Sequence, residues 1–275
     1  MSKRTRLILV SMVIAVCLWL TTTAQVDYRF GLYLGVAALS YILSIWVLFD
    51  DLKGIEWLTL MVLPVMFTLG SGLFANFLPA AIPRMFGMAF QLETSLLMAG
   101  VLKILYFIFY ALAMYGILLI ENIFSVASIR TIQLFRAARS VNFILTLVAS
   151  LFFYTVALSL KMPFWWIAPM VFLVSLILSF PSFWSVDLKG DILHDAARFS
   201  LAVSWITATA SVVLSFWPVK AFMGGLMLTS ILYSLLGILE QRLSSRVYLE
   251  SLVEYGITIM IIFVIGFLTT SWVGG

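Results

Sequence analysis

The stretch VNFILTLVASLFFYTVALSL, residues 141–160, contains twenty residues and no charged side chain. About 20 apolar residues in an α-helix cross a hydrocarbon layer of roughly 30 Å, so this stretch has the length and character of one transmembrane span. The rest of the chain is similar, because 64% of its 275 residues are hydrophobic and only 10% are charged. Such a composition lies far outside that of a water-soluble domain and predicts a multi-span membrane protein.

Charges, glycines and prolines divide the remaining sequence into further apolar runs of similar length. Because lipid offers the backbone no hydrogen-bond partners, apolar runs this long can satisfy their backbone groups only as helices. The sequence therefore predicts an all-α, polytopic membrane protein, with residues 1–275 in a single transmembrane domain of about nine helices. The predicted spans are 7–23, 30–49, 57–78, 95–120, 141–160, 164–184, 199–217, 219–239 and 252–272.

Lysine and arginine are distributed unevenly between the two sides of this topology. With the N-terminus in the cytoplasm, eleven of the 16 basic residues fall in cytoplasmic segments and four on the other side, as the positive-inside rule requires. The net charge of +4 is then partly a topology signal, and no nucleic-acid partner is expected. The first span has a second interpretation, because the basic residues before it and TTTAQ at 21–25 after it are also typical of a cleaved signal peptide.

The tetrapeptide DLKG occurs twice, at 51–54 and at 187–190, each time after a long apolar run. Four predicted spans separate the two copies, so both lie on the same side of the membrane. One interpretation is a parallel duplication, with two four-helix repeats over 30–160 and 164–272 and the first span added in front. The alternatives are chance identity in a biased composition and a simple helix stop, for which Gly54 and Gly190 are suited.

Three aspartates, Asp187, Asp191 and Asp195, follow one another at steps of four around the second DLKG turn. On a helix this spacing brings all three carboxylates to one side, where like charges repel. Lys189 and Arg198 can neutralise them locally, with an aspartate capping the next helix. A hard divalent cation such as Mg²⁺ can do the same, and it commonly completes its coordination shell with the phosphates of a substrate.

The order of these parts resembles the UbiA superfamily of intramembrane prenyltransferases, which are nine-helix proteins with acidic cytoplasmic loops after the second and sixth helices. The resemblance implies that Asp187, Asp191 and Asp195 hold Mg²⁺. That metal would bind the diphosphate of a polyprenyl diphosphate, which enters the protein from the membrane.

The resemblance also implies a second acidic cluster after the second helix, and a basic loop after the fourth helix that helps to bind the diphosphate. The second acidic cluster would consist of Asp50, Asp51 and Glu56, in a loop that has no Asn and contains Lys53. The basic residues would be Arg130, Arg136 and Arg139.

Two other functions fit the same composition, and membrane lipids are expected partners in every case. The chain can be a non-enzymatic scaffold or assembly subunit that binds membrane-protein partners, with its carboxylates facing solvent or paired with Lys189 and Arg198. It can also be a small-solute transporter, which requires a polar cavity near the midplane that includes Lys103. A prenyltransferase relative that has lost its chemistry is the remaining variant, and no interpretation assigns a catalytic residue.

Overall fold

The computed structural model describes residues 2–49, 56–82, 84–85, 88–89, 92–127, 133–186, 193–244 and 249–270. Within this part of the chain, nine helices are long and apolar enough to cross a membrane. They are α1 (Lys3–Thr21), α2 (Val26–Leu48), α3 (Glu56–Phe74), α4 (Leu92–Ala127), α5 (Phe135–Ser159), α6 (Phe164–Trp184), α7 (Leu193–Ser215), α8 (Ala221–Leu243) and α9 (Leu249–Thr269). The prediction of an all-α, multi-pass integral membrane protein is confirmed.

The segment between α3 and α4 contains the only other regular structure in the described residues. A 3-10 turn, Ala75–Phe77, continues α3, and the two-residue strands β1 (Arg84–Met85) and β2 (Met88–Ala89) pair in antiparallel fashion. The largest difference from the predicted spans is α4, which has 36 residues where the apolar run predicted 95–120. At 1.5 Å per residue α4 is about 54 Å long, so it either tilts strongly or projects beyond a hydrocarbon layer of roughly 30 Å.

The first eight helices pack as two rings of four. In the first ring, α1 and α3 each contact α2 and α4, and in the second ring α5 and α7 each contact α6 and α8. The order of neighbours is the same in both rings, so each helix corresponds to the helix four positions later. Helix α3 joins the rings through α5 and α6, and α4 also contacts α5, whereas α9 packs mainly on α8.

These rings share the four-helix offset of the predicted duplication but group the helices differently. They unite α1 to α4 and α5 to α8, so that α9 is the added helix, whereas the repeats over 30–160 and 164–272 would leave α1 as the added one. A relation between the two halves in sequence stays a prediction.

Most buried apolar side chains of each ring pack within that ring, a third cluster joins the two rings, and hydroxyl groups cross-link the helices. Val10, Ile14 and Met114 are fully buried in the first ring, where the hydroxyls of Thr68 on α3 and Tyr110 on α4 lie 2.7 Å apart. Corresponding apolar side chains fill the second ring. Where lipid replaces water, such packing and hydrogen bonds hold helices together.

Tyr154 on α5 forms a buried hydrogen bond whose contribution can be measured. Its hydroxyl lies 2.7 Å from the hydroxyl of Ser175 on α6, which also donates to the carbonyl of Val171. Replacing Tyr154 by Phe is expected to lower the free energy of unfolding by about 1 kcal/mol, the net value of one such bond, because no donor is left unsatisfied. Unfolding in mixed micelles measures this change. The control is Tyr28→Phe, at a side chain that is 69% exposed, which should leave the free energy of unfolding unchanged. Equal losses in the two variants would contradict the prediction.

Two glycines of α8 let the neighbouring helices approach it closely. A Cβ atom at Gly225 would lie 2.9 Å from the backbone nitrogen of Thr155 on α5, and one at Gly237 would overlap the ring of Tyr255 on α9. Helix α8 therefore holds α5 on one side and α9 on the other. The space between α5 and α9 becomes a groove with α8 as its floor.

Candidate functional site

Three predicted site residues, Arg136, Arg139 and Asp195, have side chains that the structure describes, and they lie at the end of the bundle at which α3, α5, α7 and α9 begin. Glu56 begins α3, and its side chain lies outside the described part of the chain. The remaining predicted residues lie outside it altogether; they are Asp50, Asp51, Arg130, Asp187 and Asp191.

Asp195 lies in the first turn of α7, next to a basic residue of the same helix. Its Oδ1 is 4.0 Å from Nη1 of Arg198, and both side chains are more than half exposed. Arg242 of α8 lies 6.0 Å above the Phe199 ring, which brings the start of α7 beside the end of α8. An exposed pair of this kind contributes little stability, while a carboxylate in the first turn suits the helix dipole.

A metal site would have to draw on more than the described side chains. Among those, no group of three His, Cys, Asp or Glu residues lies close enough to hold a metal ion. Of the three expected Mg²⁺ ligands, Asp187 and Asp191 lie outside the described residues, and Asp195 lies beside Arg198. The convergence of the two acidic loops on one cavity therefore stays a prediction.

The cavity at this end of the bundle lies between α5, α8 and α9, and we call it the α5–α8–α9 groove. Its volume is about 570 Å³, which is the size of a site for one small ligand. Two of the predicted diphosphate-binding residues, Arg136 and Arg139, line it. The other lining residues include Ser140, Phe143, Ile144, Leu147, Tyr233, Gly237, Glu240, Gln241 and Tyr255.

The polar part of the groove is built around an ion pair between α5 and α8. Nη2 of Arg139 lies 3.4 Å from Oε2 of Glu240, and the two side chains are 24% and 18% exposed. Partial removal from water makes this attraction stronger than that of a surface pair. Arg136, one turn earlier and exposed, has no acidic partner among the described residues, so the described lining of the groove carries one unpaired positive charge.

The deeper walls of the groove are aromatic and aliphatic. Phe143 of α5 meets Tyr233 of α8 edge to face at 5.7 Å, and Tyr233 meets Tyr255 of α9 at 5.1 Å. The Tyr255 hydroxyl also accepts a hydrogen bond from Nε2 of Gln241 at 3.4 Å. Leu147 lies about 16 Å along α5 from Arg136, at 1.5 Å per residue, so one end of the groove is cationic and the other apolar.

Glu240, Tyr233 and Tyr255 are site residues that the sequence interpretation did not assign. Glu240 carries the signal that could have found it, because it lies in the last turn of an apolar helix. A carboxylate at such a position needs a cationic partner or a solvated cavity. The tyrosines carry no such signal, since aromatic side chains near span ends are common in any membrane protein.

Helix α4, which corresponds to α8 in the other ring, also carries a glutamate near its end. Glu121 is only 2% exposed, and its Oε2 has no hydrogen-bond partner among the described residues. The two rings thus each place a carboxylate near the same end of the bundle. The carboxylate of the second ring is the one that lies beside an arginine in a cavity.

No protein-family model, curated protein or solved structure matches this chain. The fold and the cavity nevertheless define a class: a multi-pass integral membrane protein with a cleft that is cationic at one end and apolar at the other. Any more specific function has to be argued from the residues of that cleft.

Proposed function

We propose that this chain is a UbiA-like intramembrane protein, or a relative that has lost the transfer chemistry, and that it binds a polyprenyl diphosphate in the α5–α8–α9 groove. One observation carries the proposal: Arg136 and Arg139 lie at one end of a groove whose opposite end is aromatic and aliphatic. A ligand that suits both ends has an anionic head and an apolar chain.

The head group would bind between the two arginines. Guanidinium groups form paired, charge-assisted hydrogen bonds with phosphate oxygens. Arg136 has no acidic partner among the described side chains, so it is available at once. Arg139 would be shared between the ligand and Glu240, which makes Glu240 a competitor for the diphosphate.

The chain would lie along Phe143, Leu147 and Tyr233. A prenyl chain in the groove would gain van der Waals contacts with these side chains, which are individually small and collectively large. Because both walls of the groove belong to transmembrane helices, a chain already dissolved in the bilayer reaches the groove without passing through water.

Transfer of the prenyl group is a more specific proposal than binding, and it requires the carboxylates of the acidic loops. Asp187, Asp191 and Asp195 form an all-oxygen donor set, which suits Mg²⁺. When bound, the metal would supply positive charge to the departing diphosphate. The described residues would bind the head group and supply an aromatic wall. We assign no bond-breaking step to them.

We further propose that this end of the protein faces the cytoplasm and that the N-terminus lies there too. The support is the excess of lysine and arginine in the segments at this end. A diphosphate head group would then reach the groove from the cytoplasmic surface of the membrane.

Binding of a radiolabelled polyprenyl diphosphate to the purified protein in detergent, with and without Mg²⁺, tests the proposal. Arg136→Gln is expected to weaken binding about tenfold, because it removes one charge-assisted contact. Arg4→Gln is the matched control, since Arg4 is an exposed arginine at the start of α1, at the same end of the bundle, and does not line the groove. The proposed metal site predicts that Mg²⁺ strengthens binding to the wild-type protein. Loss of this effect of Mg²⁺ in the Asp191→Asn, Asp195→Asn double variant would support the site.

A scaffold or assembly subunit is the second candidate function. The Asp195–Arg198 contact favours it, because local pairing of these carboxylates is what a non-enzymatic loop requires. The same experiment separates the two candidates, since a scaffold would bind the diphosphate weakly and equally in all variants. A transporter comes third, because Lys103 lines none of the three cavities described for this protein.

A further inference from the structure

A second cavity with polar lining lies at the opposite end of the second ring, where α5 and α7 end and α6 and α8 begin. Its volume is about 450 Å³, and two lysines from different turns line it. Lys161 belongs to the turn between α5 and α6, and Lys220 to the turn between α7 and α8. We call it the two-lysine cavity; it shares no lining residue with the α5–α8–α9 groove.

Both lysines are held in defined turns. Lys161 has φ 48°, in the left-handed region that residues other than glycine seldom adopt. The second turn is fixed by Trp217, whose indole nitrogen donates to the hydroxyl of Thr270 at 3.0 Å and whose carbonyl accepts from Val219 at 2.7 Å. The two turns therefore hold the backbones of two lysines at the edge of one cavity, and both side chains are exposed, so their ammonium groups can reach the same space.

No carboxylate lines this cavity, and neither lysine forms an ion pair within the described part of the chain. The two serines of the lining cannot act as donors without giving up bonds, since Ser159 donates to Val156 and Ser215 to Ser211. Among the side chains of the lining, the ammonium groups are thus the available donors. Helix α8 also begins here without a side-chain cap, which adds a favourable field for negative charge.

We infer that the two-lysine cavity binds a phosphate-bearing anion. Lysine is a compact, strongly hydrated charge that commonly contacts phosphate, and two such charges without a carboxylate match an anion of charge one or two. The same chemistry is offered by a free phosphate and by the head group of an anionic lipid in the adjoining leaflet. Leu214 and Trp217 would contact the glycerol end of a lipid. This inference does not depend on the proposed function, because it concerns the other end of the protein.

Thermal unfolding of the purified full chain in a neutral detergent tests the inference, with ligand titrated into each sample. The probes are inorganic phosphate, short-chain phosphatidic acid and, as the zwitterionic comparison, short-chain phosphatidylcholine. We expect an anionic probe to raise the unfolding temperature. Lys161→Gln and Lys220→Gln should each weaken its apparent affinity about tenfold, through loss of one charged contact. Lys103→Gln is the control, because Lys103 does not line the cavity.

Stabilisation by inorganic phosphate would identify a soluble anion, and stabilisation by phosphatidic acid alone would identify a lipid head group; either supports the inference. Lys161→Arg and Lys220→Arg keep the charge and should retain binding, which separates loss of charge from damage to the turns. Equal stabilisation by phosphatidylcholine, or stabilisation by the anions that the Gln variants leave unchanged, would overturn it.

Discussion

Replacing Gly225 by valine is expected to lower the free energy of unfolding by about 3 kcal/mol, the upper part of the usual range for overpacking. A Cβ atom at this position would lie 2.9 Å from the backbone nitrogen and 3.0 Å from the Cα of Thr155. A side-chain clash can be relieved by rotation, but a clash with the backbone requires α5 and α8 to separate. Because helices in lipid associate largely through close packing at small residues, this separation should also open the groove between α5 and α9.

Unfolding in mixed detergent micelles measures the effect of Gly225→Val. The matched control is Gly116→Val on α4, where a Cβ atom would meet nothing within 4 Å. Both variants gain the same few tenths of a kcal/mol in helix propensity, since valine is a better helix former than glycine, so their difference reports the α5–α8 contact. Equal losses in the two variants would show that the helices do not approach each other this closely at Gly225.

The number and positions of the helices were predictable because hydropathy is a local property. A run such as residues 141–160 contains within itself the reason to cross a bilayer, and the structure places α5 there. The ends were less predictable. Helix α4 continues to Ala127, beyond Glu121, because a buried carboxylate does not end a helix although it does end an apolar run.

The grouping of the helices was not predictable from these runs. Which helices form a ring depends on contacts between helices, such as that between Gly225 and Thr155. The hydropathy of a single run does not indicate which other helix it will contact. The repeated DLKG turns led to the prediction of two repeats over 30–160 and 164–272, and that relation in sequence stays a prediction.

The candidate site was predictable in part. Arg136 and Arg139 were expected to bind an anion, and they do line a cavity. Glu240 was missed because it lies 101 residues from Arg139 in the chain, and no local pattern connects the two. Of the predicted acidic ligands, only Asp195 has a described side chain, and it lies beside Arg198. The others lie outside the described side chains, so their position relative to the cavity stays a prediction.

Glu240→Gln is expected to tighten the binding of a polyprenyl diphosphate about tenfold. In the wild-type protein the carboxylate lies 3.4 Å from Arg139, so the ligand has to share that guanidinium. Glutamine has nearly the same size but no charge, and it leaves Arg139 free to form a charged hydrogen bond of roughly 1.5–3 kcal/mol with the diphosphate. Since 1.4 kcal/mol corresponds to a factor of ten in affinity, a tenfold gain is a conservative expectation.

The same substitution should lower the free energy of unfolding by about 1–3 kcal/mol, because it leaves the largely buried Arg139 without its charged partner. Tighter binding together with lower stability is the signature of a residue that competes with the ligand. Glu250→Gln, at an exposed position of α9 outside the groove, should change neither quantity.

Arg139→Gln completes the test, because it should weaken binding and should abolish the gain from Glu240→Gln in the double variant. The interaction energy of this cycle then measures the competition for Arg139 directly. Weaker binding in Glu240→Gln alone would instead mean that the carboxylate contacts the ligand, through a metal ion or a protonated head group. Glu240 would then be a ligand-binding residue and not a competitor of the ligand for Arg139.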